Sequence, residues 1–326
     1  MRDHGGDLDA AIAAYGGAAA DWIDLSTGIN RVPYPVPPLP ARSWTALPTR
    51  ADRASLSAAA AAAYQCQAAV LPVAGAQAAI QMIPRLSAPG SAKVLGPTYN
   101  EHTAALKSAG WQVEEVGGLA ALRGADLAVL VNPNNPDGRR WPADALMDTA
   151  RHVGRLVVDE SFADPDPADS LACRVGESGI LVLRSFGKFY GLAGLRLGFV
   201  LGSEKDIAAL SDMAGPWPVS GAAIAIGCAA LSDRDWADRT RRRLAEDAAR
   251  LDRLAIGAGW SRVGGTSLFR LYDTGSAAAT QDRLARAGIW SRRFPWHERR
   301  LRLGLPGAEG EWLRLTAALG GKGTGD

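Results

Sequence analysis

The segment Ser185-Phe-Gly-Lys-Phe-Tyr-Gly-Leu-Ala-Gly-Leu-Arg-Leu-Gly-Phe199 places one lysine, Lys188, between a hydroxyl at Ser185 and a guanidinium at Arg196. Upstream, the apolar run Leu156-Val-Val158 ends in Asp159, where a strand would present a side chain at its carboxyl end. A lysine amine condenses with an aldehyde, and nearby positive charge keeps it in its neutral, nucleophilic form. A carboxylate holds a proton on a ring nitrogen, while a hydroxyl and a forked guanidinium hold a phosphate. One cofactor uses all of these groups, pyridoxal 5′-phosphate.

Lysine is scarce in this chain, which holds only Lys93, Lys107, Lys188, Lys205 and Lys322. Glycines at 187, 191, 194 and 198 surround Lys188, and their spacing is not that of a dinucleotide loop. Asp159 taken alone reads better as a helix cap or a strand-end ion pair than as a cofactor ligand. Val73-Ala-Gly-Ala-Gln-Ala-Ala-Ile80 joins a strand to a helix, so the amides of Gly75, Ala76 and Gln77 could receive an anion. Many strand-to-helix turns share that composition. Asn132-Pro-Asn-Asn-Pro-Asp-Gly138 is a turn by composition, and Asn135 within it could reach the cofactor's phenolic oxygen. Tyr99, after Pro97-Thr, offers an aromatic face for stacking, or it is a core tyrosine. Arg302 in Leu301-Arg-Leu-Gly-Leu305 needs an anion such as a substrate carboxylate if it points inward, and only water if its strand lies at an edge. His4, Asn30 and Arg292 are further substrate-binding candidates, set among small or apolar residues.

Elements that could position these groups are visible in the pattern. Short apolar runs at 70–73, 93–95, 127–131, 156–158, 180–183 and 197–201 predict strands, with helices over 53–64, 76–86, 102–109 and 143–153. That alternation argues for an α/β layer with a mainly parallel sheet. Residues 1–40, rich in Gly and Pro, read as an extended arm; 41–218 as a large domain; 219–326 as a smaller α+β domain with a long charged helix over 236–257 and strands near 267–272 and 301–305. The 326 residues suffice for such a core, and 47% hydrophobic with 21% charged residues is ordinary for a soluble protein. A net charge of +2 offers no field for nucleic acid. Cys66, Cys173 and Cys228 form neither a disulfide framework nor a metal-site spacing and read as small buried residues. No apolar leader and no run of membrane length is seen, since 221–231 is too short, and a cytoplasmic setting without membrane contact is expected.

Taken together, these motifs resemble the class I/II aminotransferase superfamily of fold type I pyridoxal-phosphate enzymes, over nearly the whole chain. His4-Gly-Gly, Asp24-Leu-Ser-Thr-Gly-Ile-Asn30, Pro33-Tyr-Pro35, Asp159-Glu-Ser-Phe162 and Leu301-Arg-Leu-Gly-Leu-Pro306 resemble its threonine-phosphate decarboxylase branch, which serves cobalamin biosynthesis. The resemblance implies that Lys188, Asp159 and Tyr99 are catalytic. It implies that Gly75, Ala76, Gln77, Ser185 and Arg196 hold the cofactor phosphate and that Asn135 meets the ring oxygen. Arg302, helped by Asn30, would take the carboxylate of a phosphorylated amino acid, with His4 and Arg292 as candidates for its phosphate. It further implies decarboxylation of L-threonine O-3-phosphate by a homodimer, the alternative being a histidinol-phosphate aminotransferase. Three positions depart from the wider superfamily pattern: Phe162 in place of a tyrosine, Gly187 in place of a serine, and Leu47 in place of a tyrosine offered to the neighbouring subunit.

Overall fold

The computed structural model describes residues 4–176 and 179–320. They cluster into two compact units: one of Tyr34–Asn135 with Arg140–Ala237, the other of the residues up to Pro33, Pro136–Arg139 and those from Asp238 on.

The larger unit is built on a seven-stranded sheet in the order Ala69–Val73, Gly198–Gly202, Ile180–Ser185, Leu156–Asp159, Leu127–Val131, Ser91–Leu95, Gln112–Val116. Gly198–Gly202 alone runs against the others. The strands 127–131 and 156–159 are buried at every position, as expected of apolar runs covered on both faces. Val73, Val129, Val157, Leu183 and Val200 belong to the core on one face of this sheet. Register is what assembles the site. Val131 pairs with Asp159, Asp159 with Leu183, and Ser185 with Gly198, so the carboxyl ends of neighbouring strands open at one edge of the sheet. Open α/β sheets bind ligands at that edge.

Several elements differ from their expected limits for local reasons. The helix Ala76–Met82 gives way to a 3-10 turn, Ile83–Arg85, because Pro84 has no amide to continue the ladder. The strand Gln112–Val116 was not expected. It pairs on one side only and is mostly exposed, so its sequence carries no apolar run. The helix Gly221–Ser232 groups with the larger unit, and most of its residues are buried, as a helix apolar all round requires. Cys66 is buried, but Cys228 is half-buried and Cys173 exposed, so burial explains only the first.

In the smaller unit four antiparallel strands run in the order Arg292–Phe294, His297–Gly304, Phe269–Asp273, Ser261–Thr266. Helices Ala277–Arg286 and Glu309–Ala318 and most of the helix Arg234–Gly257 accompany them. The N-terminal residues are more structured than an extended arm. Asp7 caps a helix, Leu8–Tyr15, by accepting from the Ala10 amide at 3.1 Å, and Ile23–Asp24 pairs in parallel with Ile289–Trp290. Among the described residues no helix is long and apolar enough to cross a membrane.

Candidate active site

All nine residues expected to bind the cofactor line a single cavity of about 160 Å³ in the larger unit. At one end Gly75, Ala76 and Gln77 open the helix Ala76–Met82, facing Ser185 and Arg196. Gly75 has φ +78°, a backbone conformation that favours glycine, and the Arg196 guanidinium lies so close that a Cβ there would stand 2.8 Å from it. Arg196 itself ends the 3-10 turn Ala193–Leu195 in a left-handed conformation and donates from Nη1 to the Ala193 carbonyl at 3.1 Å. Gly187 lines the same cavity. A Cβ at that position would meet the Ala193 Cα at 2.7 Å, so the backbone of this chain has closed over the place of a serine.

At the other end Asp159 is buried within hydrogen-bonding distance of three donors. His102 Nε2 lies 2.9 Å from Oδ2, while the Ser161 amide and hydroxyl donate to Oδ1 at 2.9 and 2.5 Å. Burial alone would raise this carboxyl. The hydrogen bonds and charge of His102, with those of Ser161, outweigh it and hold the group below the usual carboxylate range. Neither His102 nor Ser161 was singled out from sequence. Ser161 follows Asp159 by two residues, an ordinary side-chain-to-backbone spacing, and His102 follows Tyr99 by one helical step.

Between the ends stand Tyr99, Asn135, Phe162 and Lys188. Lys188 sits on the single helical turn Phe186–Phe189, with Nζ 5.8 Å from the Phe162 ring centre. Behind this turn Tyr190 stacks on Phe186 at 4.3 Å and on Trp236 at 5.5 Å, a rigid aromatic wall. A phosphate cradle, a buried carboxylate, an aromatic face and an amine in one cavity fit the donor set that pyridoxal 5′-phosphate requires.

The substrate-binding candidates do not gather as one group. His4 and Arg292 line a separate cavity of about 500 Å³ in the smaller unit, with Ser26, Ser291, Arg293 and His297. Arg302 pairs in register with Arg292, on a strand flanked on both sides, so it is buried and the solvated alternative fails. It donates from Nη2 to the Ser26 carbonyl at 2.6 Å. Burial and the Arg292 charge press its pKa down against the pull of Asp24, and an arriving anion would relieve that pressure. Asn135 belongs to the larger unit's cavity. Asn30 is buried with its carbonyl engaged by the Arg243 guanidinium at 2.7 Å and the Val32 amide at 3.1 Å.

Comparison with known proteins places the chain. Residues 41–322 match the family described as Aminotransferase class I and II. A threonine-phosphate decarboxylase of Pseudomonas aeruginosa is 44% identical over 326 aligned positions, 98% of this chain and 97% of its own length. Another from a Sinorhizobium sp is 43% identical over 97% of each chain. Among solved structures, the histidinol-phosphate aminotransferase of Sinorhizobium meliloti in complex with pyridoxal-5′-phosphate superposes with a TM-score of 0.82, covering 98% of this chain and 94% of its own, at 23% identity. That last likeness is one of fold.

Proposed function

The chain belongs to the class I and II aminotransferase family, and we propose that it is a pyridoxal-phosphate-dependent carboxy-lyase converting L-threonine O-3-phosphate to (R)-1-amino-2-propanol O-2-phosphate in cobalamin biosynthesis. The observation that carries this reading is whole-length similarity at 44% to a protein named for that activity. The cavity that unites Lys188 with Asp159 supports it chemically.

Bound pyridoxal phosphate supplies the electron sink for the pair released when the bond between Cα and the carboxylate breaks. Backbone amides at Gly75, Ala76 and Gln77, with Ser185 and Arg196, would hold its phosphate, and Asn135 would donate to its ring oxygen. Phe162 has no hydroxyl to share that contact, so it falls to Asn135. Asp159, itself held ionised by His102 and Ser161, keeps the proton on the ring nitrogen. Tyr99 would offer its aromatic face to the ring. The Lys188 amine would hold the cofactor and, once displaced by the substrate's amino group and protonated, would return a proton to the Cα that carbon dioxide has left. By the family resemblance, Arg302 is the candidate for the substrate carboxylate, and Arg292 and His4 are the candidates for its phosphate. On this reading the enzyme works in the cytoplasm as a homodimer, for which the exposed Trp44 and Leu47 offer an apolar contact.

Incubating the purified, cofactor-loaded protein with threonine phosphate tests the assignment. Carbon dioxide release without any keto acid is the expected result. A strict requirement for a keto acid, with no carbon dioxide formed, would overturn it in favour of transamination.

A further inference from the structure

Glu101 lies in the first turn of the helix Asn100–Ser108, between Tyr99 and His102, and is only 6% exposed. It does not line the cofactor cavity, whereas Gln77 and Tyr99 do. A carboxylate accepts hydrogen bonds and gives none, so a group turned toward it must be a donor. Gln77 meets that demand, with Nε2 standing 2.9 Å from Glu101 Oε2. Once its amide nitrogen faces Glu101, Gln77 is left with Oε1 for its other neighbour. There the Tyr99 hydroxyl donates to it across 3.4 Å. An acceptor behind the cavity wall therefore decides which way an amide points, and the amide gives the tyrosine hydroxyl its seat. The same geometry commits the Gln77 side chain away from any phosphate, leaving that task to its backbone amide.

We infer that Glu101 is a positioning residue for cofactor binding, orienting Tyr99 through Gln77 and so fixing the aromatic face on which the ring rests. The inference rests on the pyridoxal-phosphate reading above and adds to it a residue that touches neither cofactor nor substrate.

The test is a thermodynamic cycle on cofactor affinity, read from tryptophan fluorescence as apoprotein is titrated with pyridoxal phosphate. Glu101→Ala should weaken binding about fivefold, the scale of one net hydrogen bond. Glu101→Gln keeps an acceptor for the Gln77 amide and should restore affinity. Tyr99→Phe retains the ring but loses the hydroxyl. Adding Glu101→Ala to it should cost less than about twofold more, because both changes interrupt one path. Multiplying losses in the double variant, or unchanged affinity in Glu101→Ala, would sink the proposal. Should Glu101→Ala fail to fold, Gln77→Leu closes the same cycle with Tyr99→Phe, and additivity there is equally fatal. Wild-type protein that binds no cofactor would defeat the functional reading itself, an outcome distinct from a variant that binds as well as wild type.

Discussion

At Asp159 burial favours the neutral acid, while His102 and Ser161 favour the ion, and the ion wins. The partners decide this, and on the proposed reading they are what make the residue useful, since only an ionised carboxylate holds a proton on a ring nitrogen. Each unit of nitrogen pKa so sustained is worth about 1.4 kcal/mol. Asp159→Asn, which forfeits the charge with little change of shape, should therefore lower kcat on the order of a hundredfold, the equivalent of two such units. The same shift fixes a pH dependence. Because the folded pKa lies below the unfolded one, the stabilisation from this carboxylate is complete above the unfolded value near 3.8 and is lost as pH falls through the folded value. In urea unfolding of the apoprotein, wild type and Asp159→Asn should differ by a constant amount from neutrality down to about pH 4 and converge below it. A gap that instead closes on raising the pH would refute the assignment. Lys188, Asp159 and Ser185 were legible from sequence because each sits at the end of an apolar run or inside an unusual glycine pattern. His102 was not, because its meaning depends on a residue 57 positions away.

Next to Asp159 and Ser185 lies a second, hidden pair of charges, Glu160 just past the end of one strand and Arg184 within the other. Alternation along a strand turns neighbouring side chains to opposite faces, so Glu160 and Arg184 point away from the cavity. There Arg184 donates to Glu160 at 2.8 Å and to Asp164, all three buried, with the Tyr64 ring 4.3 Å from its guanidinium. Burial pushes the Glu160 carboxyl up, and Arg184 pulls against it. This cluster ties the ends of two parallel strands together one residue from the site, so it bears on where Asp159 and Lys188 come to rest. Removing one member of a buried pair strands the others without compensation, typically at about 3–5 kcal/mol. Arg184→Met should lose that much in chemical denaturation, while Glu160→Gln, which keeps an acceptor for Arg184, should lose less. Equal and small losses in both would show the cluster to be dispensable. An arginine inside Ile180–Ser185 hints from sequence at such a pair, but its partners follow no local period. The central strands were legible for the opposite reason, since full burial writes itself as an unbroken apolar run. The edge strand Gln112–Val116 and the glycine-containing strand Ser261–Thr266 leave no such trace.

For the molecule as a whole, the order of residues along the chain is a poor guide to which of them pack together. The described residues up to Pro33 cluster with the described residues from Asp238 on, through pairings such as Ile23 with Ile289 that no local pattern announces. Residues from Tyr34 return to the larger unit, where Tyr34 meets Trp236 edge-on at 5.2 Å. Just beyond, Val36, Trp44 and Leu47 are among the most exposed large apolar side chains, with Trp44 69% and Leu47 65% open to solvent. Apolar side chains exposed to this degree gain free energy when another surface covers them. The family resemblance puts Leu47 about where related enzymes offer a tyrosine to the neighbouring subunit, so on the homodimer reading the contact in this chain would be apolar, without a hydroxyl. The homodimer reading then makes a definite demand. Wild-type protein should sediment at twice the chain mass, and Trp44→Asp with Leu47→Asp should shift it toward a single chain, since burying an unpaired carboxylate costs several kcal/mol. Because both side chains are exposed in the isolated chain, the substituted protein should keep its far-ultraviolet circular dichroism as a monomer. Wild type sedimenting as one chain, or a doubly substituted protein still sedimenting as two, would remove these residues from any subunit contact.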